Sequence, residues 1–282
     1  MRITSRPVAM AVAAKSGVIA SSCACARGSR DTSCNCPSIM CQAARCNRKR
    51  RSRESRFMNF QNIIFDLDGT LIDSARLTGA IIDRMLDERG IDARADRALI
   101  RQMDAVGGEA MIAAVMGEFS ANPAAEIEEF RAIHRDIAVP QDLPFPGVRA
   151  ALAALETSGI GLAICSNKPQ FLCEKILAAL GLAQHFAVIV GSAPGRARKP
   201  APEAALLALE GVGGTVTNTL YFGDSAIDVA TARAAGLPVA LAAWGYGTAE
   251  ARQAKPRPPV VETMSVLVDG VAGHGRSIIP DR

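Results

Sequence analysis

Short runs of uninterrupted apolar residues, most of them separated by stretches of helical character, constrain this 282-residue chain more than any other feature. They are Asn62-Ile63-Ile64-Phe65, Gly161-Leu162-Ala163-Ile164-Cys165, Ala187-Val188-Ile189-Val190, Thr219-Leu220-Tyr221-Phe222 and Pro238-Val239-Ala240-Leu241-Ala242. A strand with one wet face would alternate; continuous apolarity predicts strands buried on both faces. Helical segments are predicted at about 148–158, 170–180, 203–210 and 226–235, with stop signals at Gly159, Gly181 and Gly236 and the third segment ending at Gly211. The alternation implies an α/β fold, a doubly wound parallel sheet with a Rossmann-like core.

One stretch breaks the pattern. After the first strand, about 75 residues hold no convincing strand. Leu77, Ile81, Ile82, Met85 and Leu86 share a helical face, as do Met111, Ile112, Val115 and Met116, and more loosely Ile127, Phe130, Ile133 and Ile137. This predicts about four helices inserted as a cap domain over 74–146. Pro144-Phe145-Pro146-Gly147 marks the return to a core made of 58–73 and 147–270. Residues 271–282 read as a frayed, flexible tail.

Residues 1–57 differ from the rest. They hold twelve of the 32 basic residues and two of the 28 acidic ones, so this arm carries +10 and the remainder −6. The net +4 is therefore no argument that the core binds nucleic acid. Six of the eight cysteines are in the arm, and its pairs, Cys23-x-Cys25 and Cys34-x-Cys36, fit a zinc module poorly. Cys165 and Cys173, the other two, read as small buried hydrophobes, and a core so poor in cysteine fits the cytoplasm. The arm is expected to be disordered. A transit peptide, a nucleic-acid-binding run and an over-long start before Met58 stay open; the apolar stretch from Val8 is too short for a secretory signal. No run of 18 apolar residues predicts a membrane span.

Ligands of open parallel sheets sit beyond the carboxyl ends of the strands. There the sequence places Asp66-Leu67-Asp68-Gly69-Thr70, Ser166-Asn167-Lys168, Lys199-Pro200 and Gly223-Asp224-Ser225-Ala226-Ile227-Asp228. Paired carboxylates after an apolar strand are costly without a cation or hydrogen bonds. Carboxylate oxygens suit Mg²⁺. A metal and a lysine can neutralise phosphoryl oxygens, an aspartate can attack phosphorus, and a second carboxylate can move the proton. Each element also has a plain structural reading. Asp66 and Asp68 could open a turn, Ser166-Asn167 could cap the helix at 170, Ser225–Asp228 matches a capping box, and Lys199 could be a surface lysine. Those readings do not explain why all four stand in a row at strand ends.

Phe65 to Ser74, Ser166–Lys168, Lys199-Pro200 and Gly223–Asp228 resemble, in order and spacing, the four motifs of the haloacid dehalogenase-like hydrolase superfamily over about 60–265. The resemblance implies that Asp66 is the nucleophile and a Mg²⁺ ligand. It implies that Asp68 is the general acid/base, with its main-chain carbonyl on the metal. Ser166, with Asn167 beside it, would bind phosphoryl oxygens, and Lys199 would hold Asp66 and phosphate. Asp224 would ligate Mg²⁺, and Asp228 would support it from behind or through water. The cap, Ala105–Glu109, Ala232–Gly236 and Trp244–Thr248 are similar to the phosphoglycolate phosphatase-like branch; Gly195–Arg198 departs from it.

The expectation is a phosphoric monoester hydrolase acting on a small phosphorylated metabolite, phosphoglycolate first, as a monomer or homodimer. Gly107 and Gly108 would let the cap backbone approach substrate, or would form a plain helix–helix turn. A nucleotide monophosphatase, a pyrophosphatase and a phosphosugar mutase remain open within the same chemistry. Outside it stand a phosphorylatable receiver and a non-catalytic binding protein. A P-loop enzyme is disfavoured, since Gly-x-x-x-x-Gly-Lys-Ser/Thr is absent.

Overall fold

Six parallel strands run in the order β3-β2-β1-β4-β5-β6, in a computed structural model that describes residues 60–103 and 108–272. They are β1 (Asn62–Phe65), β2 (Gly161–Pro169), β3 (Val188–Ser192), β4 (Thr219–Gly223), β5 (Val239–Ala242) and β6 (Val260–Val261). All four residues of β1 and all five of β4 are buried, as expected of strands covered on both faces. Side chains alternate between two cores. Ile64, Cys165, Tyr221 and Leu241 face one, closed by helices α7 (Glu203–Gly211) and α8 (Ala226–Ala234). Phe65, Ile164, Phe222 and Ala240 face the other, closed by α5 (Val148–Thr157), α6 (Gln170–Ala179) and α10 (Met264–Val271). A short α9 (Thr248–Ala251) follows β5.

The strand order reverses beside β1. The chain builds outward through β2 and β3, then returns to lay β4 on the other side of β1, with Phe65 in register with Phe222. The crevice beyond the carboxyl ends of β1 and β4 is thus the switch point where such sheets bind ligands.

Between β1 and α5 lie four helices: α1 (Ser74–Glu88), α2 (Arg97–Met103), α3 (Gly108–Met116) and α4 (Pro123–Asp136). Their apolar faces are buried as periodicity predicts, with Leu77, Ile81, Met85, Met111, Ile112, Ile127 and Phe130 inside. Asn122 caps α4 by accepting from the Ala125 N–H, and Pro123 opens the helix. The excursion leaves and rejoins the core at one place. Asp73 N donates to Leu143 O (2.9 Å) and Phe145 N to Leu71 O (3.0 Å), so the two crossings lie side by side. From α6, Lys175 Nζ donates to the carbonyls of His134, Arg135 and Ile137 at 2.7–2.9 Å, closing the C-terminus of α4 with a cation.

Two predicted boundaries shift. β2 runs four residues beyond Cys165, so Ser166 and Asn167 belong to a strand end and not to a cap of α6; Pro169 precedes that helix with no side-chain cap. The left-handed residue after α7 is Gly213 (φ 62°), while Gly211 is still helical. Among the described residues, no helix is long and apolar enough to cross a membrane. The arm expected over 1–57, the tail from 273 and Gly107 lie outside the described residues.

Candidate active site

The switch point carries the acidic cluster. β1 delivers Asp66 directly, its main-chain N–H bonded to Phe222 O (2.9 Å) on β4. β4 ends in Gly223 and presents Asp224 next door. Asp224 lies in a bed of backbone: its carboxylate accepts from Thr70 Oγ1 (3.0 Å) and the Gly247 N–H (3.2 Å). A Cβ on Gly245 would fall 2.0 Å from the Asp224 Cβ, and one on Gly69, at φ 75°, 2.7 Å from Asp224 Oδ2. Only glycine permits that approach. The loop forming the bed is anchored by Trp244 Nε1 donating to Thr70 O (3.0 Å), and by Tyr246, whose hydroxyl donates to Asp73 and accepts from the Ala75 N–H.

Lys199 enters from the β3–α7 connection and is almost wholly buried. Its Nζ lies 2.9 Å from Asp66 Oδ1 and 2.7 Å from Asp228 Oδ1, and donates to Cys165 O (3.1 Å) and Tyr221 Oη (3.3 Å). Asp228, at the first turn of α8, is fully engaged. Its Oδ1 takes Lys199 and the Tyr221 hydroxyl (3.2 Å); its Oδ2 takes Ser225 N, Ser225 Oγ and Asp224 N at 2.7–3.2 Å. The capping box read from Ser225–Asp228 is present, so one carboxylate both starts a helix and holds the lysine. These bonds put Asp228 behind Asp224 and Lys199.

The remaining motif residues divide. Ser166 is buried at the end of β2, its Oγ accepting from the Lys168 N–H (3.2 Å). Asn167 turns away from the position expected of it: its amide grips the main chain of Lys199, accepting from the N–H (2.8 Å) and donating to the carbonyl (3.1 Å). These two bonds brace the lysine loop. Asp68 is held at 3.0 and 3.1 Å by Lys168 Nζ. Gly108 opens α3 at φ 60° with open space beside it, which fits the helix–helix turn.

Charge in this cluster does not balance by itself. The carboxylates of Asp66, Asp224 and Asp228 offer oxygens all within 4.8 Å of one another, around a single ammonium. Fully ionised, three carboxylates against one ammonium would leave two negative charges in excess. Burial, then the neighbouring Asp228, pushes Asp66 well above the ordinary carboxylate range even against Lys199. The same two causes push Asp224 up to about 7. Burial also works against Asp228, but Lys199 and the Ser225 donors outweigh it and hold it low. Lys199 is held high by Asp228 and Asp66 in spite of its burial. A divalent cation with a preference for oxygen ligands fits this donor set in number, kind and charge.

Residues 63–242 match the family model described as haloacid dehalogenase-like hydrolase, and the chain belongs to that family. Its similarities place it on the phosphoglycolate phosphatase-like branch. It is 37% identical over 185 residues to a phosphoglycolate phosphatase of Xanthomonas campestris pv. campestris, covering 65% of this chain and 83% of that one. A phosphoglycolate phosphatase of Xylella fastidiosa is 38% identical over 193 residues, covering 67% and 83%. Among solved structures, a protein of Bacteroides fragilis described as a haloacid dehalogenase-like hydrolase superposes with a TM-score of 0.62 at 26% identity, over 74% of this chain and 99% of that one.

Two residues of the site region were not singled out from sequence. Tyr221 lay hidden in an apolar strand run, although its position two residues after Thr219 places it on the Ile64–Cys165 face. His134 follows Phe130 by one helical turn, a spacing that puts both on one side of α4, and their rings meet edge to face at 5.7 Å.

Proposed function

We propose that the chain is a Mg²⁺-dependent phosphatase that hydrolyses a small phosphate monoester, phosphoglycolate first among candidates, through an aspartyl phosphate on Asp66. One observation carries this reading: three buried carboxylates lie within 4.8 Å of one another at the switch point, two of them on Lys199, more acidic groups than that one ammonium can balance. Asp66 and Asp224 would hold the cation, with the Asp68 main-chain carbonyl and with Asp228 behind. The cation, when bound, supplies positive charge against the phosphoryl oxygens.

The chain's own groups do the rest. Lys199, fixed by four partners, orients Asp66 Oδ1 and adds a second positive charge where transition-state charge spreads. An Asp66 carboxylate oxygen attacks phosphorus; the bond from phosphorus to the ester oxygen breaks, and Asp68 gives that oxygen a proton as the alcohol leaves. Asp68 then takes a proton from water, whose oxygen attacks the aspartyl phosphate, releasing phosphate and restoring Asp66. Ser166 can donate its hydroxyl to a phosphoryl oxygen from the end of β2. Asn167 keeps the Lys199 main chain in place. Helices α1–α4 close over the crevice and exclude bulk water.

The test is turnover of para-nitrophenyl phosphate. The wild-type chain should turn over with Mg²⁺ and stop when the metal is chelated. Asp66→Asn should lower kcat by roughly 10³-fold or more, as expected when a nucleophile is removed. Full activity in that variant would remove Asp66 from the mechanism.

A further inference from the structure

The stretch Trp244–Thr248 has no part in the steps above, yet Tyr246 stands where core and cap meet. Its ring packs edge to face on Phe145, on the return crossing, with centroids 6.3 Å apart. A Cβ on Gly69 would fall 3.0 Å from Tyr246 Cδ2, so the ring also lies against the turn after β1. The Arg101 guanidinium, from α2, lies over the same ring at 5.8 Å from its centroid, and its Nη2 is 3.3 Å from Asp73 Oδ2. The Tyr246 hydroxyl donates to Asp73 Oδ1 and accepts from the Ala75 N–H (3.1 Å) in α1. One side chain of the core therefore touches the outgoing crossing, the return crossing and two cap helices.

The bond to Ala75 serves as a helix cap. Asp73 precedes α1 but makes no side-chain cap bond, so an amide of the first turn is satisfied by the tyrosine of a loop 171 positions away. The two neighbours of Tyr246 press on Asp224. The Gly247 N–H donates to Asp224 Oδ2 (3.2 Å), and a Cβ on Gly245 would fall 2.0 Å from the Asp224 Cβ. Three consecutive residues thus join the start of α1 to a proposed ligand of the cation. Packing this close leaves no slack, so a shift of Tyr246 is passed to the N–H that aims the Asp224 carboxylate. Groups that orient a metal ligand from outside typically change its affinity 10–100-fold.

We propose that Tyr246 is a positioning residue that couples the seating of α1 and α2 on the core to the affinity of the Asp224 site for its divalent cation. The Asp73 carboxylate joins the two sides: Oδ1 takes the tyrosine and Oδ2 takes Arg101. With α2 seated, Arg101 holds Asp73 and the ring, the ring holds the loop, and the loop holds the carboxylate that meets the cation. Coupling of binding free energies is reciprocal, so the cation favours the seated cap by the same factor. The metal therefore tightens the lid of the crevice as well as charging its floor.

This deepens the phosphatase reading and rests on its assignment of Asp224 to the metal. Calorimetric titration of Mg²⁺ into the full chain, freed of metal and without substrate, tests the coupling. Tyr246→Phe keeps the ring and removes both hydroxyl bonds; it should weaken Mg²⁺ binding about tenfold. Arg101→Met changes a partly exposed cap residue outside the proposed ligand set, and should weaken binding about fivefold. In the double variant the loss should fall short of the product of the two, because both act through Asp73. Asn122→Ala uncaps α4 and lies outside this chain of contacts, so its affinity should match wild type. Unchanged affinity in either Tyr246→Phe or Arg101→Met overturns the proposal. So does an equal loss in Asn122→Ala, which would make the effect a general result of loosening the cap. If Tyr246→Phe fails to fold, Arg101→Met and Asn122→Ala still decide. Wild-type protein that binds Mg²⁺ no better than these variants sinks this inference alone, whereas wild-type protein that binds no Mg²⁺ sinks the metal-dependent reading beneath it.

Discussion

The two halves of the site are built differently. On the core side, Lys199 is held by Asp66, Asp228, Tyr221 and Cys165 O and is almost sealed from solvent. On the cap side, Lys168 holds one carboxylate in a partly open position, near an imidazole with no partner. A fully bonded buried network fixes geometry, which suits the half where phosphoryl chemistry is the same for every substrate. A looser pair can change partners, which suits the half that meets the variable alcohol. The two lysines, 31 positions apart in the sequence, thus sit in differently buried ion pairs.

Substitution of each lysine should separate these roles. Lys199→Met should abolish measurable turnover and destabilise the fold by about 3–5 kcal/mol, because it leaves buried carboxylates without their cation. Lys168→Met should cost less stability than Lys199→Met, since its ion pair has 12% of each side chain exposed and involves one carboxylate, against 4% exposure and two carboxylates at Lys199. Similar losses of stability in both would erase the distinction.

Metal binding sharpens the core side. Asp224 stands at about 7, so its proton must leave before a cation binds there. Apparent Mg²⁺ affinity should fall by up to about tenfold per pH unit below 7. The sign for stability follows from the raised value. Without metal, the folded chain holds this proton more tightly than the unfolded chain does, so stability drops as pH rises from about 4 through about 7. Melting curves should show the Mg²⁺-induced rise in Tm to be larger at pH 8 than at pH 5; the reverse order would contradict the charge arithmetic of the cluster.

His134 tests the cap side with the opposite sign. Its value is lowered to about 3, so its contribution is intact above about 6.5 and is lost as pH falls through that window. At pH 5 the loss is on the order of 2 kcal/mol. His134→Phe should escape it, and the Tm advantage of the variant should grow between pH 7 and pH 5. The smallest effect belongs to Tyr221→Phe. It removes one of several bonds to each of Lys199 and Asp228, and kcat should fall only a few-fold.

Much of this architecture was readable from residues alone, for physical reasons that also explain the gaps. Strands buried on both faces announce themselves as apolar runs, and polar side chains at their ends are conspicuous because burial makes them expensive. That logic singled out Asp66, Asp68, Ser166, Lys199, Asp224 and Asp228 as candidates. It could not find β6, whose two residues, Val260 and Val261, are too short for any period. What the sequence could not show for Asn167 is that its amide bonds the backbone of a loop 32 positions away. Tyr221 looked like core because it is core, with a hydroxyl aimed along the sheet. His134 was passed over because an imidazole on an apolar helix face is ordinary until its missing partners are seen.

The side-by-side crossings at Ile72 and Pro144 have a consequence for how such a protein can vary. Since the polypeptide departs and comes home through a single doorway, everything between is hung on one post and can be lengthened, shortened or exchanged without rethreading the sheet. The hydrolytic furnace stays put while the porch is rebuilt for new visitors.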